Sequence, residues 1–235
     1  MTSDPQARRD SDGGRRERPA WVQTVRMLLR RRIVVVGLGL VAAAFLVGLL
    51  APVLAGQNPG ELNVAARLRA PSRGHLFGTD GFGRDVFSRV VYEARLSIFV
   101  GAMSVLVASL GGGLVGLLAG FYRRLDGTLM RVMDGIMAFP NIVLAIALMA
   151  SLGPSVFNVI VSLGFVYMPR VARVVRSGVL TVRESLHVEA ARALGARDAR
   201  ILRLNILPNC LSPIIVQATF VFAYAVLGEA ALSFL

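Results

Sequence analysis

Apolar residues in this chain fall in long uninterrupted blocks, separated by polar stretches rich in arginine, glycine and proline. The first block, 33–55, holds 23 residues without a charge. At 1.5 Å per residue that is enough to cross a hydrocarbon layer about 30 Å thick. Further blocks cover 96–122, 136–152, 156–175 and 211–227. The pattern predicts an all-α polytopic membrane protein with five spans. The first block is too long for the core of a cleaved signal peptide and is read as a retained span.

Within the blocks, small and polar residues punctuate the helices. Gly112, Gly116 and Gly120 recur every four residues, so they share one helix face and admit a neighbouring backbone. Pro140 is expected to kink the third span or mark its first turn. The fourth block carries the weakest signal, because Pro169 interrupts it and Arg170, Arg173 and Arg176 follow at three-residue spacing. Those arginines are expected to snorkel to the surface or meet a partner. Asn141, Ser212, Gln217 and Thr219 are polar positions within spans, qualified by position alone as lining a path or bonding between helices.

Between the blocks, residues 1–32 carry nine Arg and four acidic residues and read as a tail unable to fold alone. Residues 56–95 are polar, with Pro59, Pro71 and ten charges, and form an extramembrane segment. In it, the stretch Gly-Thr-Asp-Gly-Phe-Gly-Arg-Asp at 78–85 reads as a turn into a helix. Thr79 or Asp80 is placed to cap that helix, and Asp85 suits its positive end. Residues 96–235 form the remaining core.

Charge fixes the orientation. The net charge is +12, and all 26 basic residues are arginine. With the N-terminus inside, 20 of them lie on the cytoplasmic side and six outside, in 67–95. The same asymmetry accounts for the basic total without nucleic acid. The absence of lysine excludes a GxxxxGK[ST] phosphate loop, so any nucleotide chemistry must come from a partner. Cys210 is the only cysteine, and His75 and His187 are far apart, so neither a metal site nor a metal cofactor is expected. A membrane-embedded hydrolase would need a Ser–His or paired Asp arrangement at matching depth, whereas Asp80, Asp85, Asp126, Asp134 and Asp198 all fall in loops or at span ends. No catalytic residue is assigned.

The most informative stretch is 181–205, too polar to cross a membrane and too regular for a loose loop. Val182, Leu186, Ala190 and Leu194 fall four apart beside Arg183, Glu184, Glu189 and Arg192, predicting an amphipathic helix. Gly195 is placed to end it in a left-handed conformation, and 196–204 begins a second short helix with Ile201 and Leu204 on its apolar side. Such a unit suits either a groove on another protein or the membrane surface.

This stretch resembles the EAA loop of ATP-binding-cassette importer permeases, whose pattern is E-A-A, three residues, G, nine residues, I, one residue, L-P. Glu189, Ala190, Ala191, Gly195, Leu207 and Pro208 match in register, while Asn205 stands in the place of the Ile and Ile206 follows it. The resemblance covers roughly 76–235 and includes GTDGFGRDVFSR, RVMDGIMAFP, PNCLSPIIVQA and LGEAALSFL. Together these are similar to the second, shorter permease subunit of the dipeptide, oligopeptide and nickel importers. Two departures stand out: Glu93 replaces a usual Gly, and the family's sixth span is missing.

The resemblance implies the type I importer transmembrane fold, with five of its six spans. It also implies an inner-membrane location and a share in a machine with a homologous permease, two ATPase subunits and an extracytoplasmic binding protein. Glu189, Ala190, Ala191, Leu194, Gly195, Leu207 and Pro208 would then form the element that couples transport to the ATPase. Di- or oligopeptides are the expected cargo, with nickel or a nickel chelate as the alternative. A truncated, non-transporting fragment is the further alternative.

Overall fold

Residues 30–234 are described in the computed structural model, and each apolar block in them is helical. Only the last three residues of the expected tail, 1–32, fall within that range. The chain divides into two units between Val47 and Gly48. The first contains nearly all of α1 (Arg32–Leu49), which is apolar on every side. α1 ends at Leu49, and α2 (Ala51–Leu54) follows with Pro52 in its first turn, so the 33–55 block is one helix and a separate turn.

The second unit continues with α3 (Val86–Phe121), α4 (Arg123–Met137), α5 (Asn141–Leu152), α6 (Val156–Arg183), α7 (Leu186–Ala193), α8 (Asp198–Ile201), a π-turn (Leu202–Ile206) and α9 (Leu207–Ser233). Among the described residues, four helical segments are long and apolar enough to cross a membrane: α1, α3, α6 and the run from α8 through α9. The pair α4 and α5, bent by 89°, makes a fifth if taken together. Fold class thus agrees with the sequence, while the third span does not form as one straight helix. Pro140 has no amide hydrogen and disfavours helix at Phe139, so α4 ends at Met137 and α5 starts afresh at Asn141. With twelve residues, α5 is only about 18 Å long and does not reach across a bilayer alone.

α3 also starts ten residues before the block at 96. Asp85 is its N-cap, its carboxylate accepting from the Ser88 amide at 2.8 Å. Thr79 and Asp80, expected as caps, instead tie the preceding loop together. The Thr79 hydroxyl donates to the Ala66 carbonyl and accepts from the Arg69 amide at 2.8 Å. Asp80 accepts from the amides of Phe82 and Arg84 and from the guanidinium groups of Arg84 and Arg89, both at 2.8 Å. Burial alone would push the Asp80 carboxyl up, but those donors outweigh it and hold the group well below the usual carboxylate range. The Asp85 carboxyl is lowered in the same way: burial opposes, and the Ser88 amide and the His75 ring, 3.1 Å away, prevail. At Gly83, φ is +76° and a side chain would run into the Asn63 carbonyl, so only glycine fits.

The core forms where α3, α6 and α9 pack. Gly112, Gly116 and Gly120 face Val171, Val175 and Val179, all three fully buried on α6. A Cβ built on Gly116 would lie 2.5 Å from the Ala172 carbonyl oxygen, and one on Gly112 the same distance from that of Met168. The expected close approach of a second helix is therefore present, and its partner is α6. Advancing along α3 matches advancing along α6, so these two helices are parallel. The pairing of Ser97 with Glu229, at 2.6 Å, and of Gly101 with Phe222 and Val226 shows that α9 runs antiparallel to α3. Two parallel neighbours require the chain between them to return along the bundle, and α4 and α5 provide that return.

Two arginines in the second half of α6 find partners on α4. Arg176 grips Asp126 through two bonds, at 2.5 and 2.6 Å, and Arg173 meets Asp134 at 2.6 Å. Arg183 donates at 2.9 Å to the Gly120 carbonyl, one of the unpaired carbonyls at the end of α3. Cys210 is fully buried in the same core, beside Gly178. Among the span polar residues, Thr219 bonds to the Val216 carbonyl of its own helix at 2.7 Å.

Candidate functional site

α6 ends at Arg183, and after a break at Glu184 and Ser185 the eight-residue helix α7 begins. The break corrects the expected amphipathic helix, because Val182 belongs to α6 and only Leu186, Ala190 and Leu194 continue the stripe. Their burial is also the reverse of a packed stripe: Leu186 is 84% exposed, Leu194 is 88% exposed, and Ala190 is exposed between them. The inward side of α7 is Val188, fully buried, with Ala191 packed against the core. Arg192 secures the same side, its guanidinium 5.6 Å from the Phe121 ring centroid at the end of α3. α7 is therefore held on one face and presents an apolar face outward.

The end of α7 is sharply defined. Gly195 has φ +78°, the left-handed conformation expected of it. Its amide donates to the Arg192 carbonyl at 2.9 Å, and the Ala196 amide donates to the Ala191 carbonyl at 3.0 Å. This pair of bonds is the Schellman arrangement, which satisfies the last carbonyls and fixes the exit direction. A side chain at Gly195 would meet no neighbour, so only backbone conformation restricts the position.

Glu189 lies in the first turn of α7, exposed, and has no hydrogen bond or ion pair among the described residues. A carboxylate there suits the positive helix end and leaves its oxygens available. Glu189, Ala190, Leu194 and Gly195 thus lie on or at the end of the outward face, while Ala191 points inward. Leu207 and Pro208 belong to a different element, the first turn of α9.

Beyond Gly195, 196–204 does not form a separate helix with a shared apolar side. Ile201 is fully buried and Leu204 is 57% exposed, and α8 passes through the π-turn directly into α9. Pro208 accounts for the π-turn, since its ring would crowd the carbonyl four residues back in an unwidened helix. Within that turn Ile206 is fully buried and Asn205 only partly, so Ile206 supplies the packing side chain. The sequence reading missed Asp126, Asp134 and Phe121 as supports of this region. The only signal for them was the three-residue spacing of the arginines.

Among the described residues, no group of three or more His, Cys, Asp and Glu side chains is arranged to hold a metal ion. What the arrangement offers is a rigid helix, anchored to the ends of α3 and α6, with an exposed apolar face and a free carboxylate. Such a face suits a groove on another protein or the membrane surface.

The described residues form an all-helical, multi-pass membrane fold with one projecting amphipathic helix. Residues 112–235 match the family described as the binding-protein-dependent transport system inner membrane component. The chain belongs to this family. It is 48% identical over 214 residues, 91% of its length and 72% of the relative's, to a protein of Brucella suis biovar 1 named "Putative peptide transport system permease protein". It is 44% identical to a dipeptide transport system permease protein of Alkalihalophilus pseudofirmus, over 92% of this chain and 71% of that one. A dipeptide transport system permease protein of Bacillus subtilis is 34% identical over 97% of this chain and 72% of its own.

Proposed function

We propose that this chain is the transmembrane subunit of an ATP-driven importer of di- or oligopeptides, and that α7 is its coupling helix. Family membership supports the transport role, and the names of the relatives support peptides over nickel as cargo. The observation that carries the coupling role is the orientation of α7: Val188 and Arg192 fix it to the bundle while Leu186, Ala190 and Leu194 face outward. A cleft on an ATPase subunit would receive the outward face, with Glu189 available to a basic group there. Hydrolysis belongs to that partner. ATP-driven closure of two such partners would move α7, and its attachment through Val188 and the Arg192–Phe121 contact, with its capped exit at Gly195, would pass the movement to α3, α6 and α9 without loss in a flexible loop.

On this reading the N-terminus is cytoplasmic, which the arginine asymmetry supports, and α7 lies on the same side. A homologous permease, two ATPase subunits and an extracytoplasmic binding protein complete the machine. Leu207 and Pro208 act indirectly, by fixing how α8 enters α9. The test is to solubilise native membranes in mild detergent, capture a tagged copy of this chain and identify the associated proteins. An ATPase subunit and a second permease are expected. Their absence from an intact, membrane-inserted chain would refute the proposal.

A further inference from the structure

Three arginines, Arg170, Arg173 and Arg176, follow one another along α6, and two are neutralised by carboxylates of α4. Arg170 is not. It has no ion pair and no side-chain hydrogen bond among the described residues. It lies in α6 five residues before the end of the apolar block at 156–175. A charge inside that end is costly unless it snorkels, faces a polar path or meets a partner.

What surrounds Arg170 is aromatic. Its guanidinium carbon lies 5.1 Å from the Tyr224 ring centroid and 5.8 Å from that of Tyr167. The two rings stack at 6.2 Å with 27° between their planes, and the Tyr167 hydroxyl donates to the Tyr224 carbonyl at 3.1 Å. Tyr167 is buried, while Tyr224 is 46% exposed and Arg170 is partly exposed. The Tyr224 hydroxyl also lacks a partner among the described residues. The rings therefore hold the guanidinium in place while its N–H groups, and a neighbouring phenol, remain unsatisfied donors at an accessible surface near the end of the apolar block.

An arginine fork held in this way matches a carboxylate, which takes two parallel N–H bonds. We infer that Arg170, flanked by Tyr167 and Tyr224, takes the free C-terminal carboxylate of a peptide during its passage. That group is present on linear peptides of every sequence, so the site recognises cargo class without recognising side chains. The half-exposed Tyr224 ring offers apolar surface to the last residue of the peptide. The inference rests on the peptide-importer reading.

The test uses the complete importer with its partner subunits in vesicles. Uptake of labelled dialanine and trialanine is compared with uptake of the same peptides as C-terminal amides, for the natural chain, Arg170→Gln and Arg170→Lys. The binding protein's own preference for free acids is common to all three and cancels in the comparison. Arg170→Gln is expected to narrow the acid-to-amide ratio by about tenfold or more, the scale of a charge-assisted hydrogen bond. Arg170→Lys, which keeps charge but loses the fork, should fall between. The yield of assembled complex is measured alongside.

An unchanged ratio overturns the inference, whether total uptake is normal or reduced. Equal loss of both forms would instead mark Arg170 as paired with a carboxylate of the partner permease. Failure of the natural chain to import either free peptide would remove the peptide reading, and this inference with it.

Discussion

Gly116→Ala tests the packing that holds the bundle together. The new Cβ would stand 2.5 Å from the Ala172 carbonyl oxygen and 2.7 Å from the Val175 Cβ, and the latter side chain is fully buried. Neither neighbour is the free end of a flexible side chain, so α3 and α6 must separate by several tenths of an ångström. Overpacking of this kind costs about 1–3 kcal/mol. Helix propensity opposes it by about 1 kcal/mol, because alanine favours helix over glycine. The expected net is a loss of about 0–2 kcal/mol for alanine, with a larger loss for valine at the same position. Gly113→Ala is the internal control: it gains the same propensity, and its Cβ would meet nothing within 4 Å. The assay is the fraction of detergent-solubilised chain that stays monodisperse after a series of heat steps. Gly113→Ala should match or exceed the natural chain, and Gly116→Ala and Gly116→Val should fall progressively below Gly113→Ala. Equal curves for Gly113→Ala and Gly116→Val would refute the argument.

Other perturbations report on the remaining supports. Asp126→Asn leaves Arg176 without its two-bond partner; both groups are a quarter to a third exposed, so the loss should be about 1–2 kcal/mol, read by the same heat steps. Gly195→Val should weaken co-purification of the ATPase while leaving membrane insertion intact, since a branched residue at φ +78° costs about 1–2 kcal/mol or more. Normal co-purification would remove the bend from the coupling account. The loop at 78–85 should respond to acid. The folded Asp80 and Asp85 carboxyls lie below their ordinary value, so their contribution is complete above about pH 4 to 5 and is lost as pH falls through the lowered values. Hydrogen exchange of the loop amides, corrected for the intrinsic rate, should therefore show protection at pH 5 to 7 that decays only below about pH 4.

Features set by neighbours in sequence were legible before the structure. Gly112, Gly116 and Gly120 announced a close helix contact because four-residue spacing places them on one face, and Gly195 announced a helix end. The block at 156–175 was misleading in strength. Its polar content marked it as the weakest span, yet α6 is central to the core, with Val171, Val175 and Val179 fully buried. Hydropathy favours helices that face lipid, and a helix packed on several sides can carry arginines when Asp126 and Asp134 of another helix neutralise them. Those partners lie 50 and 39 residues away, and no local pattern links them. The stripe on α7 was visible as apolar spacing, but periodicity does not distinguish a buried face from one awaiting a partner.

The central claim is that the outward face of α7 meets an ATPase. Leu194→Cys and Phe157→Cys, the second an exposed position at the opposite end of α6, each carrying a thiol-linked photocrosslinker in native membranes, test it directly, with the fully buried Cys210 as a silent background. Probes at Leu194 should capture an ATPase subunit, and probes at Phe157 should capture none. Capture of lipid alone at Leu194, in membranes where the ATPase is present and assembled, would contradict the account.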